Sequence, residues 1–317
     1  MKKLLSVMLI VVMVFAMTAC GNSNDAEYPD GTITSIVNFS AGGGSDLAAR
    51  ALCDKAAELM GCTITTTNVT GGSGTVGAAE LANEDPDGYT IGFVPTASMA
   101  LTPLFVDGAN YTVDDFDYIC GFGQYGYGIV VNNDSEFKSM DDVIAAMKKG
   151  TLKFGITGYP QPFAMYELAN QVGGSVEAVS YPSTTDMITD VMGGFLDICV
   201  ADEASFAAYV RSGDVTLLAG CCEDRWISGP DVPTLLELGY DVKLEAYLAM
   251  VAPKGIDADK LAILRDAFET AAQDEKFIEI MNNANQHVSF MTGEDYEAFM
   301  KEKAVEFKDL YAKYGTN

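Results

Sequence analysis

The sequence predicts an α/β protein of two lobes, each a mostly parallel sheet flanked by helices, joined by two crossover segments with a cleft between them. Three observations carry this prediction. Short runs rich in β-branched residues alternate with stretches of helical periodicity along nearly the whole chain. Two glycine-rich turns, at 42–44 and 71–77, each stand between a strand-like run and a helix start. Two extended regions, around 116–131 and 243–251, interrupt the alternation; Gly121, Gly123, Gly126 and Gly128 give the first of them hinge-like freedom.

The first 19 residues read as a leader. Lys2 and Lys3 precede an apolar stretch from Leu4 to Phe15, too short to span a bilayer, and Met17-Thr18-Ala19-Cys20 resembles a lipobox with cleavage before Cys20. Lipidation of Cys20 would anchor the protein to the outer face of the cytoplasmic membrane, with the polar residues 21–27 as tether. The remaining length suits two domains. The expected boundaries are 28–123 with 246–317 for the first lobe and 124–245 for the second.

In order, the pattern predicts strand 32–39, helix 45–60, strand 63–68, helix 75–83 and, after the Pro86-Asp87-Gly88 turn, strand 89–94. Beyond the first crossing come helix 140–149, strand 152–156, helix 162–172, strand 176–180, helix 184–193, strand 196–200, helix 203–211 and strand 215–219. Ser139 with Asp142 marks one helix start by its capping-box spacing. After the return crossing follow helices 257–273, 275–284 and 293–314, the last starting at Thr292 with Asp295 three residues on. Parallel sheets of this kind bind ligands at the carboxyl ends of their strands.

Composition excludes several functions. The chain carries 19 basic and 45 acidic residues, a net charge of −26, and without Lys2 and Lys3 the balance is 17 against 45, or −28. Such a field repels nucleic acid and anionic membrane surfaces. It does not steer anionic solutes either, so a carboxylate ligand must be held by local amides and hydroxyls at short range, with distant charge screened beyond about 8–10 Å. Cys53, Cys62, Cys120, Cys199, Cys221 and Cys222 show no zinc spacing, so no metal is expected, and no disulfide is assigned. No cofactor is expected: Gly72-x-Gly74-x-x-Gly77 has dinucleotide spacing, but the next strand, 89–94, offers no acidic residue for a ribose. The only histidine, His287, reads as a surface or packing residue, no nucleophile motif accompanies it, and the chain is not expected to be an enzyme.

The chemistry concentrates in the glycine turns. Gly42, Gly43 and Gly44 let the backbone turn with N–H groups exposed, and Ser45 is placed to cap the following helix, a geometry that suits an anion, above all a carboxylate. GGSGTVG at 71–77 puts a second set of amides at a second helix start. Asp46 is either a helix-dipole partner or a receiver of an ammonium group, and Arg50 is expected to pair with an acid. Asp202 and Glu203 either face the cleft or begin a helix. Tyr159, Phe163 and Tyr181 are candidates for an apolar wall, although a phenylalanine at the helix-start spacing of Phe163 is more often core.

AGGGSDLAAR, NVTGGSG with Gly77, PDGYT at 86–90, Tyr181 with Gly194 and Asp197, VPTLLELGY at 232–240 and VAPKGI at 251–256 resemble, in order, the signatures of the Bug or TctC family, the extracytoplasmic solute receptors of tripartite tricarboxylate transporters. The resemblance spans essentially all of the chain after the leader. It implies a Venus flytrap of periplasmic-binding-protein type that holds a small organic acid. It implies ligand contacts from Ser40, Gly42, Gly43, Gly44, Ser45 and Asp46 on the first turn and Gly71, Gly72, Ser73, Gly74 and Thr75 on the second, with Thr96 and Ser98 as further contacts. From the second lobe it implies Thr157, Gly158 and Tyr159, then Ser183 and Thr184, then Asp202. The second lobe departs from the family pattern at Gly158-Tyr159-Pro160-Gln161-Pro162 and at Tyr181-Pro182-Ser183, where a Tyr-Lys-Gly turn is usual.

The expected function is capture of a small carboxylate by a lipid-anchored, monomeric receptor that hands it to membrane transporter subunits. The alternative is an exported receptor of the same fold for a neutral, aromatic or amino-bearing solute, held through Asp46, Asp202 and Glu203 and feeding a sensor protein.

Overall fold

A computed structural model describes residues 28–315. The leader, Cys20 and the tether lie outside the described residues.

The first sheet is built from β1 (Ile33–Val37), β2 (Ile64–Asn68), β3 (Thr90–Phe93), β4 (Phe116–Gln124), β10 (Tyr247–Pro253) and β11 (Met291–Thr292), in the order β11-β4-β10-β3-β1-β2. The second is built from β5 (Tyr127–Asn132), β6 (Thr151–Ile156), β7 (Ser175–Ser180), β8 (Ile198–Asp202) and β9 (Val215–Gly220), in the order β7-β6-β8-β5-β9. Strands β1, β2 and β3 pair in parallel, as do β6, β7 and β8, which is the βαβ alternation read from the sequence.

The crossing strands make both sheets mixed. In the first sheet β10 and β11 run against β1–β4, β4 keeping the direction of β1–β3, and in the second β5 runs against β8 and β9. The geometry of the crossing explains this. β4 leaves the first sheet at Gln124, opposite Tyr247 at the start of β10, and β5 enters the second at Tyr127, opposite Asp202 at the end of β8. A chain that enters a sheet at the carboxyl end of its parallel strands must run against them.

Helices cover both faces. α1 (Gly44–Met60) and α7 (Ala258–Ala272) pack on one face of the first sheet, α2 (Thr75–Ala82) and part of α9 (Gly293–Tyr314) on the other. The period of two decides which residue meets which: Ile33 and Val37 join Leu52 and Phe268, while Ile36 joins Leu81 and Tyr296. In the second sheet Ile129, Val131, Ile198 and Val200 face α3 (Met140–Lys149) and α4 (Gln161–Val172). Val130, Cys199 and Ala201 face α5 (Thr184–Met192), α6 (Glu203–Ser212) and the buried Trp226. α8 (Glu275–Asn283) closes the first sheet's core with Phe277 and Met281.

Two caps follow the sequence reading: Ser139 accepts the Asp142 N–H, and Thr292 accepts the Asp295 N–H. The segment after β3 does not appear in that reading. Ala97–Leu101 forms a π-helical turn and Thr102–Leu104 a single 3₁₀ turn, too short for a helical apolar period to register. α9 spans both sheets: Tyr296 and Met300 pack on the first, while Phe307, Leu310 and Tyr314 pack with the second, where Lys313 Nζ and Tyr314 Oη reach Glu167 at 2.8 and 2.7 Å. Among the described residues no helix is long and apolar enough to cross a membrane.

The start of α9 sits against the backbone of β4, because a Cβ on Gly293 would lie 2.4 Å from the Tyr118 carbonyl oxygen and 2.6 Å from that of Ile119. Gly293→Ala is therefore expected to lower stability by about 1–3 kcal/mol, the usual cost of overpacking against atoms that cannot yield. Urea unfolding followed by circular dichroism checks it, and an unchanged midpoint would contradict the packing.

Candidate functional site

The carboxyl ends of both sheets open onto one cavity of about 690 Å³, a volume suited to a small solute. On the first-sheet side, β1 runs into the glycine turn and α1. The N-cap of α1 is Gly43, with no side-chain cap, so Ser45 does not cap as its position suggested. Its hydroxyl instead lies 2.6 Å from Tyr125 Oη on the crossing. Asp46 Oδ2 accepts the Gly42 N–H at 2.9 Å, and Oδ1 accepts from Arg50 Nε at 2.9 Å and Asn68 Nδ2 at 2.7 Å. Burial raises the Asp46 carboxyl, but the Arg50, Gly42 and Asn68 hydrogen bonds together outweigh it and hold the group below its ordinary value. Asp46 is a structural clamp on the turn.

The N–H groups of Gly44 and Ser45, both in the cavity wall, have no acceptor among the described residues. They are the orphan donors of a helix start, and the helix dipole adds partial positive charge there. The second turn stands beside them. Ser73 adopts a left-handed conformation, φ 53° and ψ 40°, and lines the cavity with Ser98, whose Oγ donates to the Ser73 carbonyl at 3.2 Å. Gly74 has φ +92°, and a Cβ there would meet Ser98 Oγ at 2.5 Å and Asn38 Nδ2 at 2.7 Å. Only glycine fits that position.

The second-sheet side is arranged differently. Gln161 Oε1 accepts the Thr157 N–H at 2.6 Å, the Gly158 N–H at 3.1 Å and the Thr157 hydroxyl at 3.2 Å. The amides expected to be free after β6 are thus occupied by a side chain. Gln161 is 4 % exposed and lines the cavity, and its Nε2, left without a partner by this arrangement, is the donor it offers. Asp202 caps α6, with Oδ1 accepting the Ser205 N–H at 2.9 Å, and burial raises its carboxyl above the ordinary value, Glu203 adding to that. Among the described residues no lysine, arginine or histidine lines the cavity.

The family-model comparison matches residues 48–315 to the tripartite tricarboxylate transporter family receptor. The chain belongs to this family. The UPF0065 protein in the gbd 5′ region of Cupriavidus necator is 30 % identical over 91 % of this chain and 89 % of that protein. An adipate-bound protein of R. palustris has the same fold, with a TM-score of 0.80 at 18 % identity over 91 % of this chain and 99 % of that one. MatC of Rhodopseudomonas palustris with bound malate gives 0.74 at 19 %, over 89 % and 99 %. Tripartite tricarboxylate transporter receptors are extracytoplasmic substrate-binding proteins and not enzymes.

Of the residues this receptor family implies, the structure gathers Gly42, Gly43, Gly44, Ser45, Ser73, Ser98, Thr157, Gly158, Tyr159, Thr184 and Asp202 around the cavity. Ser40, Asp46, Gly71, Gly72, Gly74, Thr75, Thr96 and Ser183 are not in its wall. Thr75 Oγ1 is spent on the Gly72 carbonyl, Thr96 bonds Tyr296 Oη and the Tyr247 N–H, and Ser183 caps α5. The lining also holds Tyr125, Tyr127, Gln161, Asn285 and Gln286. The crossing tyrosines were hidden in an apolar strand pattern, and Asn285 and Gln286 follow a helix with no glycine turn to mark them.

His287 is neither a surface nor a simple packing residue. Its Nε2 lies 2.7 Å from Glu203 Oε2, and Glu203, fully buried, also accepts the Ser228 N–H at 2.6 Å. The six described cysteines are free, and burial pushes the Cys53 and Cys222 thiols up to about 12.

Two outcomes follow from the turns. Asp46, held below its unfolded value, contributes stability that is present above about pH 4 and lost as pH falls through its folded pKa. Asp46→Asn should therefore cost about 1–3 kcal/mol at pH 7 and shrink that difference toward pH 2.5, read from urea midpoints across pH. Gln161→Ala leaves the Thr157 and Gly158 amides unpaired and should cost about 1–3 kcal/mol, measured by thermal unfolding without ligand.

Proposed function

We propose that this receptor captures a small carboxylate in the cavity and delivers it to the membrane subunits of a tripartite tricarboxylate-type transporter. In this reading residues 1–19 are removed, Cys20 is lipidated, and a monomer stands on the outer face of the cytoplasmic membrane. The sheet of β1–β4, β10 and β11 forms lobe 1 (28–123 and 246–317), and that of β5–β9 forms lobe 2 (124–245). The single observation that carries the reading is the pair of unpaired amides at Gly44 and Ser45, turned into a cavity whose remaining donors are neutral. A carboxylate oxygen is the acceptor that such a helix start holds best. The adipate-bound and malate-bound structures of the same fold support an acid as ligand.

On this reading Gly42, Gly43, Gly44, Ser45, Ser73 and Ser98 hold the carboxylate, and Thr157, Gly158, Tyr159, Thr184 and Asp202 face the rest of the solute. Tyr159 brings an aromatic wall, stacked on Phe105 with ring centroids 4.0 Å apart. Gly74 shapes the second turn from behind.

The test removes one amide at a position that admits proline. Gly44 is the first residue of α1, and Gly43 before it is extended, at φ −76° and ψ 165°. Gly44→Pro should weaken the tightest-bound acid of a panel of malate, adipate, citrate and amino acids at least tenfold in calorimetry. Gly44→Ala keeps the N–H and adds a Cβ whose close neighbour, 2.6 Å away, is the unbonded end of Gln286; it should bind more tightly than the proline variant. Equal affinity of parent and Gly44→Pro would overturn the amide site.

A further inference from the structure

Among the described residues Asp202 is the one carboxylate in the cavity wall, and no cationic side chain stands there. Its Oδ1 accepts the Ser205 N–H, the Ser205 side chain also supports the carboxyl, and the group lines the cavity. The start of its helix stands close to the first glycine turn: a Cβ on Gly44 would lie 3.5 Å from Ala204 Cβ, two residues beyond Asp202. Tyr125, whose hydroxyl meets Ser45, and Tyr127 both feel the Asp202 charge. The orphan amides at Gly44 and Ser45 and the Asp202 carboxyl therefore line one cavity, the amides from the first sheet's side and the carboxyl from the second's.

Two further side chains show that this wall is built for a polar solute. Gln161 and Gln286 are 4 % and 2 % exposed and line the cavity. Gln161 has its Nε2 unpartnered, and the Gln286 side chain makes no hydrogen bond within the described residues. Their unpartnered polar atoms are therefore left for a polar group in the cavity to meet.

We propose that the ligand is an α-amino acid, its carboxylate on the Gly44 and Ser45 amides and its ammonium on Asp202. This rests on the acid-receptor reading above and narrows it. Adjacent donors and an acceptor match the two charged groups that an α-amino acid carries on one carbon. A dicarboxylate whose second group reached Asp202 would put like charges together with no cation between them. The zwitterion leaves the site no more negative than it was.

Calorimetry on the full mature chain with two matched pairs, glutamate against glutarate and phenylalanine against 3-phenylpropanoate, decides the matter. At least one amino acid should bind tenfold or more tightly than its amine-free partner, and Asp202→Asn, in which the asparagine can still cap α6, should shrink that ratio to within threefold. Tighter binding of the amine-free member of each pair, or a ratio unchanged in Asp202→Asn, overturns the amino-acid assignment and leaves the acid receptor standing. Binding of neither member of either pair, to parent or variant, overturns the amino-acid assignment, and the acid panel with Gly44→Pro decides the acid receptor separately.

Discussion

The 2.9 Å hydrogen bond from the Tyr125 N–H to the Ala246 carbonyl is the contact on which the arrangement depends. It holds the two crossings side by side, so the sheets are joined at one place and not at opposite ends. Because β4 ends and β10 begins there, and β5 starts opposite the last residue of β8, the carboxyl ends of both sets of parallel strands are turned onto the same gap. Helix starts follow strand ends in a βαβ unit. The amino termini of α1, α2, α5 and α6 therefore gather around one cavity without any side chain being needed to direct them.

That gathering answers the charge problem posed by the composition. With a net charge of −26, the chain cannot recruit an anion through its long-range field. Within a few ångströms the balance differs, since the cavity lining contains one carboxylate and several oriented N–H and O–H donors. These donors are held before any ligand arrives: Asp46 fixes the turn at Gly42, Gln161 fixes the loop at Thr157 and Gly158, and Ser98 fixes Ser73. Fixed dipoles lose little on binding, which is why neutral donors in a partly enclosed site can outweigh a distant negative field.

The strands and helices were legible because periodicity reports burial, and nearly every element here has one buried face. Ile33, Ile36 and Val37 show the limit of what alternation must satisfy: both faces of the first sheet are covered, so position within the strand chooses the helix that is met and not whether a residue is buried. The antiparallel entry of the crossing strands was not legible, because strand direction leaves no trace in hydrophobic pattern. The first glycine turn was readable as a run of exposed amides, because three glycines stand between a strand pattern and a helix pattern. Gln161 was not: nothing in its neighbours distinguishes a glutamine that caps two amides from one that begins a helix. Asp46 was open between two roles, and the position of Arg50 one turn along, bonded at 2.9 Å, decides for the structural one.

The segment from Ala284 to His287 joins the cavity wall to α6. Ala284, Asn285 and Gln286 line the cavity, and the two residues with ionic or polar reach across the gap are in the same four-residue run: Asn285 Oδ1 accepts from Arg211 Nη1 at 2.8 Å, and His287 meets Glu203. Both partners belong to α6, whose first residue follows Asp202. A solute that touches Gln286 on one side and Asp202 on the other therefore bridges two elements already bonded to each other. The His287–Glu203 contact is buried, so separating its partners would leave a polar group without water, a cost of about 1–3 kcal/mol or more. The spacing between the glycine turn and the start of α6 is accordingly fixed by bonds that do not involve the ligand, and selectivity falls to the side chains facing that spacing.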